Sequence, residues 1–345
     1  TLQSVLVVGS NLRKDHPLFA QRIRQAARHG CQVIALDSVE RDWAIPVKHL
    51  LKHAASQWMQ ALGGIAAAVA QEKGVAGPAG SFVIDDAATA VARSLMAGER
   101  KAVLLGNAAA HHAQATQLLA LANWIGEHTG ATVGYLTEAA NTVGAQFVGA
   151  HPVKGGLNAA QMLSGGLKAV LLLNNEPVHD SSAGARATDA LSGAEMVVTL
   201  SPFKANMEFS DVLLPIAPFT ETSGSFINAE GRLQSFHAVV RPLGQTRPAW
   251  KVLRVLANML EIPGFDFETS QDVLARATNA APGAFSRIDA AQLSNAVTGG
   301  VTASVSGAVG EPVVASIYQL DGLVRRSPSL QLTADARMAR EEVAA

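Results

Sequence analysis

One cysteine, Cys31, stands in 345 residues. A single thiol excludes an internal disulfide, a CxxC redox pair and any all-cysteine zinc or iron–sulfur site, and it fits a reducing compartment. Aromatic residues are scarce at 5% of the chain, so a core must be built mainly from Ala, Val, Leu and Ile. Charge is scarce too: 16% of residues are charged, with 27 basic against 28 acidic and a formal charge of -1, where ordinary domains carry roughly 25% charged residues. Such a balance gives no general attraction for nucleic acid, and so weakly charged a surface favours burial against a partner. Long apolar runs are missing as well. The most apolar helix candidate, near 61–70, falls short of the roughly 18 apolar residues of a membrane span, and no charged-then-apolar leader opens the chain. The expectation is a soluble protein with no direct membrane span. Thr1 leads almost at once into a strand, which reads as a piece of a longer polypeptide.

Short apolar runs with polar ends carry the fold signal. Val5 to Val8 is closed by Gly9, Ser10 and Asn11; a helix follows Asp15 and Pro17 and stops at Gly30; Val33 to Leu36 then ends in Asp37. Asp15 is the expected cap of that helix, Pro17 suits its first turn, and Leu18, Ile23 and Ala27 form its apolar side. The grammar recurs at Ala102 to Leu105 with Gly106 and Asn107, followed by a helix from about Ala115 to His128 stopped by Gly130. It recurs at Ala169 to Leu173 with Asn174, Asn175, Glu176 and Pro177, at Met196 to Leu200, and at Asp211 to Leu214. Continuous apolar strands separated by helix-length segments predict an α/β protein with an open, mostly parallel, Rossmann-like sheet and helices on both faces.

Residues 1–262 are expected to form this α/β region, with a sub-boundary or surface loop near 74–80. A helix is predicted from about Pro248 to Leu260, with Trp250, Leu253, Leu256 and Leu260 on one side. Residues 263–345 read as an irregular extension: 280–310 is expected to be extended or partly disordered, and 317–340, with Arg325, Arg326, Arg337 and Arg340, is a docking segment or packs back.

Several residue groups are candidates for chemistry. Gly9, Ser10 and Asn11 leave the C-terminal end of a strand, where parallel sheets take ligands, and Asp37 stands where a ribose-binding acid would. The dinucleotide fingerprint is incomplete, because Asn11, Arg13, Lys14 and Asp15 follow Gly9 where further glycines are needed; a plain loop is the simpler reading and an altered nucleotide site the alternative. Asn11, Asn107, Asn174 and Asn175 can build loops or meet a ligand through their amides. No metal site is expected: His111 and His112 are adjacent, and His49 and His53, four apart on a predicted helix, lack further ligands. No GxSxG elbow is present, and neighbouring His179, Asp180 and Ser181 do not make a triad. The densest polar run, Phe219 to Arg232, is either a structural lock or a ligand-facing loop.

That run completes a resemblance. SDVLLP at Ser210 to Pro215, ETSGSFINAEGRLQSF at Glu221 to Phe236, RPAWKVLRVLANML at Arg247 to Leu260 and VRRSPSLQLT at Val324 to Thr333 resemble the C-terminal half of the large iron–sulfur subunit of NADH-quinone oxidoreductase, respiratory complex I. VLVVGSN at Val5 to Asn11 and LLLNNEP at Leu171 to Pro177 agree, and 262–310 is the weakest stretch. The resemblance implies the fold of molybdopterin oxidoreductases, in which ETxGTxxNxEGRxQ-like segments help to hold a pterin. Glu221, Thr222, Gly224, Asn228, Glu230 and Arg232 are on that ground candidates for a vestigial pterin site, with Gly231 and Gln234 keeping the outline and Ser225 replacing the usual Thr.

The resemblance further implies no molybdenum and no catalytic residue here. The family's iron–sulfur clusters belong to cysteine-rich motifs of an N-terminal portion that this sequence does not contain. It implies a noncatalytic scaffold in a parent that carries electrons from NADH toward quinone, other peripheral-arm subunits as partners, and a cytoplasmic location peripheral to the inner membrane of a bacterium. The alternatives are a nucleotide- or pterin-binding module that retains a sheet-crevice site, and an assembly module unrelated to redox work.

Overall fold

A computed structural model of the chain describes residues 1–281, 283–297, 301 and 316–337. Its contacts form two compact units, Thr1–Ala139 with Ala291–Val314, and Ala140–Ala290 with Ala315–Ala345. The parts of the expected irregular stretch at 298–300 and 302–315, and the end of the docking segment with Met338 and Arg340, lie outside the described residues.

In the first unit, β1 (Ser4–Val8), β2 (Gln32–Asp37), β3 (His49–Lys52), β4 (Lys101–Leu105) and β5 (Thr132–Tyr135) form one parallel sheet in the order β3-β2-β1-β4-β5. The apolar runs are continuous because both faces are covered. Leu6, Val8, Ile34 and Leu36 pack into a cluster with Trp58, Leu62 and Ile65, whereas Val5, Val7, Val33 and Ala35 pack with Ile23 and Ala26. Each fully buried Leu, Ile or Val contributes about 1.5–3 kcal/mol, so these strands and the helices packed on them stabilise the unit together.

The helix Trp58–Lys73 explains the light composition. It is buried along nearly its whole length and packs against both Asp86–Met96 and Ala115–Thr129, so its sides must be small. A Cβ on Gly63 would run into the Phe82 ring, and one on Gly64 would lie 2.5 Å from the Val83 carbonyl oxygen. The loop at 74–80 follows this helix within the same unit, with Gly74 in the left-handed conformation that ends it.

In the second unit, β6 (Ala169–Leu173), β7 (Met196–Ser201) and β8 (Val212–Pro215) form a parallel sheet in that order, and β9 (Gly224–Ile227) and β10 (Leu233–Phe236) form an antiparallel hairpin. One face of the parallel sheet packs Val170, Leu172 and Val197 on Val178, Leu191 and Phe209. On the other, Leu171, Leu173, Met196 and Val212 remain exposed.

Local expectations differ at identifiable points. Asp15 does not cap the helix Pro17–Arg28; it ends a short preceding turn of helix and accepts the Asn11 N–H at 3.2 Å. Leu18 is exposed, and Ile23 and Ala26 form the buried side of that helix. His49 begins strand β3 and His53 follows it, so the pair shares no helical face. The helix near 250 runs Ala249–Met259, with Trp250 half-buried and Leu260 exposed beyond its end. Residues 286–288 are paired: Leu233 N–H donates to the Ser286 carbonyl and Ile288 N–H to that of Gly231, which adds a short extended segment to the hairpin. No helix among the described residues is long and apolar enough to cross a membrane.

Candidate functional site

Parallel sheets take ligands outside the C-terminal ends of their strands, at the point where strand order reverses. In the first sheet that point lies between β1 and β4, and it is closed. Gly106 N–H donates to the Val8 carbonyl at 2.8 Å, and Ala108 N–H to the Gly9 carbonyl at 3.0 Å, tying the two strand-end loops together. Gly9 has φ +60°, and a Cβ there would lie 2.7 Å from the Trp58 ring and 2.8 Å from the Ala109 nitrogen; only glycine serves both needs. Trp58 fills the space beneath, fully buried, donating its indole N–H to the His53 carbonyl at 2.9 Å and stacking on His112 at 5.7 Å between ring centres.

The polar groups of this edge mostly satisfy one another. Asp37, 1% exposed, accepts Ser38 N–H at 2.8 Å, Val39 N–H at 3.3 Å and Arg41 Nε at 2.9 Å. Its carboxylate is therefore occupied where a ribose-binding acid would be open. His111 Nε2 and Glu138 lie 2.7 Å apart. This hydrogen bond raises the His111 pKa and lowers that of Glu138, in each case against burial. Burial raises the pKa of Asp15, opposed by His16 and the Asn11 N–H. Ser10 Oγ, Asn107 Oδ1 and His16 Nδ1 are buried with no hydrogen-bond partner among the described residues; His16 uses its other ring nitrogen on the Thr137 carbonyl at 2.9 Å. No group of three or more His, Cys, Asp or Glu among the described residues is arranged to hold a metal ion.

The strand ends of the second sheet meet the C-terminal segment. Glu176, two residues beyond Asn174 (φ +51°), is bound by Arg325 Nη2 at 3.0 Å and Arg326 Nη2 at 2.8 Å; Arg325 Nη1 also lies 3.3 Å from Asp180. Burial opposes the charge on Glu176, but the hydrogen bonds from Arg326 and Arg325 outweigh it and lower its pKa. A cavity of about 490 Å³ lies between, lined by Glu176, His179, Tyr318, Arg325, Arg326 and Gln331 among others. Arg325 and Arg326, which in the sequence read as part of a docking segment, thus point inward. His179, Asp180 and Ser181 form no triad: Asp180 accepts the Glu176 N–H at 2.7 Å, and Ser181 Oγ donates to the Pro177 carbonyl at 2.6 Å.

The polar run at 219–232 folds mainly onto its own backbone. Asn228 Oδ1 accepts Glu230 N–H at 3.0 Å and Arg232 N–H at 2.9 Å. Gly231, at φ +77°, donates its N–H to the Asn228 carbonyl at 2.8 Å. Asn228, Glu230 and Arg232 therefore share the hairpin turn between β9 and β10. Glu221 lies at the other end, accepting Leu243 N–H at 2.9 Å, and Thr222 donates to the Ser223 carbonyl at 3.2 Å. Gly224 opens β9 where a Cβ would come 2.6 Å from the Phe236 ring. Ser223, Gly224 and Ser225 border a mostly apolar cavity of about 250 Å³ between Phe147, Trp250 and Leu274. The Glu176–Arg325–Arg326 cluster and the His111–Glu138 pair escaped sequence reasoning; the only signal was an acid a few residues past a strand end.

Two parallel sheets with Gly-Ser-Asn and Asn-Asn-Glu-Pro loops at their strand ends define an α/β protein. The chain belongs to the molybdopterin oxidoreductase family, whose sequence profile matches residues 3–259. Among curated relatives, an NADH-quinone oxidoreductase subunit of Pseudomonas putida is 27% identical over 312 residues, covering 81% of this chain and 34% of that protein. The probable oxidoreductase YjgC of Bacillus subtilis is 37% identical over 75 residues, 22% of this chain and 8% of that protein. A putative formate dehydrogenase of Staphylococcus aureus is 42% identical over 59 residues, 17% of this chain and 6% of that protein. The chain therefore spans at most about a third of the length of these relatives. Acetylene hydratase from Pelobacter acetylenicus shares the fold with a TM-score of 0.53 and 12% identity, over 80% of this chain and 50% of that one.

Proposed function

We propose that the chain is a noncatalytic scaffold portion of a complex I peripheral-arm subunit, whose parent passes electrons from NADH toward quinone through iron–sulfur clusters held outside this portion. The observation that carries this reading is that the acids at the ligand edges, Asp37 and Glu176, are already paired with the chain's own Arg41, Arg325 and Arg326. The residues present do not fit a pterin nucleotide at either strand-end edge considered by itself: Trp58 and the joined loops fill the first, and the two arginines occupy the second. Similarity to an NADH-quinone oxidoreductase subunit over 81% of the chain supports the complex, against 22% and 17% for the two enzyme-like relatives.

In this reading the protein holds no metal, pterin or flavin, and its chemistry is structural. Its partners are other peripheral-arm subunits, and its place is the cytoplasmic side of a bacterial inner membrane. The exposed apolar face of β6, β7 and β8 offers a surface for such an assembly, since parallel sheets are ordinarily covered on both faces. Affinity capture from cells that express a complex I tests it: the peripheral-arm subunits are recovered with the chain. Recovery only of proteins outside respiratory complexes would overturn it.

A second reading, a pterin- or nucleotide-binding module, is favoured by one observation, the unpartnered Ser10 Oγ and Asn107 Oδ1 at the first edge. It requires saturable heat on calorimetric titration with a pterin nucleotide, lost in Asn107→Ala. A flat titration at millimolar ligand removes it.

A further inference from the structure

We propose that residues 316–337 form an intramolecular strap that closes the C-terminal edge of β6 and β7, latched by Arg325 and Arg326 on Glu176. The position comes first. Glu176 lies just past the end of β6 and Phe203 just past the end of β7, so the segment covers neighbouring strand ends at the edge where such sheets take ligands. Arg325 grips through Glu176 at 3.0 Å and Asp180 at 3.3 Å, while Arg326 pairs with Glu176 at 2.8 Å and lies 4.2 Å over the Phe203 ring.

The segment is folded as a unit around its own turn. Asp321 accepts the N–H groups of Leu323 and Val324 at 2.9 and 2.8 Å, Gln331 donates to the Tyr318 and Val324 carbonyls at 3.0 Å, and Arg325 Nη1 donates to the Gln319 and Leu320 carbonyls at 2.7 and 2.9 Å. Charge, more than apolar burial, attaches it. Ile317, Leu323, Leu330 and Leu332 are exposed and Ala336 alone among the apolar residues of the described segment is fully buried, whereas the side chains of Arg325 and Glu176 are only 12% and 13% exposed.

The strap puts a planar, N–H-donating group on an aromatic ring and against a carboxylate. Both groups of this grip, the ring and the carboxylate, are thereby taken up by the chain's own guanidinium groups. The inference rests on the scaffold reading for its purpose: the chain fills with its own arginines an edge that would otherwise be open. The 490 Å³ hollow between the strap and the strand-end loop is walled on one side by Tyr318, Arg325, Arg326 and Gln331 and on the other by Glu176 and His179, so release of the strap would take away one of its walls.

Hydrogen–deuterium exchange on the full chain tests the latch. In Glu176→Gln, amides of 317–337 should exchange about tenfold faster or more, while those of β6 to β8 stay unchanged. Arg326→Gln, which keeps the Arg325–Glu176 pair, should give a smaller change in the same segment. If Glu176→Gln fails to fold, Arg325→Gln, which removes the other side of the same pair, should show the same selective loss of protection. Unchanged exchange at 317–337 overturns the latch; a rise spread equally through β6 to β8 makes the segment part of the unit's core and overturns the strap. The readout is protection of one segment, so it fails separately from the scaffold reading, which turns on partners and cofactor content.

Discussion

Gly231 and the His111–Glu138 pair act through very different physics. Gly231 sits at φ +77° in the hairpin turn, and Gly231→Val should destabilise the second unit by about 1–2 kcal/mol, the usual left-handed penalty for a side chain; an unchanged denaturation midpoint would contradict this. The His111 pKa is raised, so its contribution is present below the unfolded histidine value and lost as pH rises through the folded one. The Glu138 pKa is lowered, so its contribution is present above the unfolded glutamate value and lost as pH falls through the folded one. The pair therefore stabilises most between the two, around pH 5 to 6, and by no more than about 1 kcal/mol because both side chains are over 40% exposed. In Glu138→Gln the His111 pKa should fall, read from its ring proton shifts by NMR; a titration identical to wild type would contradict the pairing. Tryptophans separate in the same way. Trp58, 0% exposed, should cost about 3–5 kcal/mol on change to Ala, whereas half-buried Trp250, beside a cavity, should cost about 1–2 kcal/mol. Equal losses in urea denaturation would show that Trp250 is a core anchor after all.

Among the elements, the strands with both faces buried were legible because burial on two sides leaves an unbroken apolar run, as in β1, β2 and β4. Helix ends with a glycine in the left-handed conformation, such as Gly130 after Ala115–Thr129, were legible for a similarly local reason. Strand β3 was not: four residues carry too little period to separate strand from helix, so His49 and His53 read as one helical face. Nor was the pairing of 286–288 with the hairpin, or the latch of Arg325 and Arg326 on Glu176, since contacts between residues so far apart in the chain leave no spacing to read. The site followed the same rule. The NAEGR turn could be quoted from sequence, but that Asn228 hydrogen-bonds its own backbone could not. The helix Trp58–Lys73 supplies a test in which two effects oppose each other. Gly64→Ala improves helix propensity by about 1 kcal/mol, yet its Cβ would lie 2.5 Å from the Val83 carbonyl, and overpacking costs about 1–3 kcal/mol. Net destabilisation in urea is expected, and a more stable variant would show that the loop at Val83 yields freely.

For the whole molecule, the shortages noted first acquire a cause. Alanine and glycine replace larger residues where neighbouring segments press on the helix Trp58–Lys73, as the loop at Phe82 and Val83 does on Gly63 and Gly64. The few charges are concentrated in part at the strand-end edges, where Asp37–Arg41 and Glu176–Arg325–Arg326 satisfy one another. An apolar face of the second sheet is left exposed, and weak surface charge suits a domain that is covered in an assembly. In the proposed scaffold role, a member of the molybdopterin oxidoreductase family has closed its strand ends with its own side chains and holds no cofactor. The most direct measurement is the molybdenum, iron, pterin and flavin content of the freshly purified chain, together with its NADH oxidation. A scaffold should be colourless, with only trace amounts of each and no turnover of NADH; any of these groups at one per chain would contradict that role.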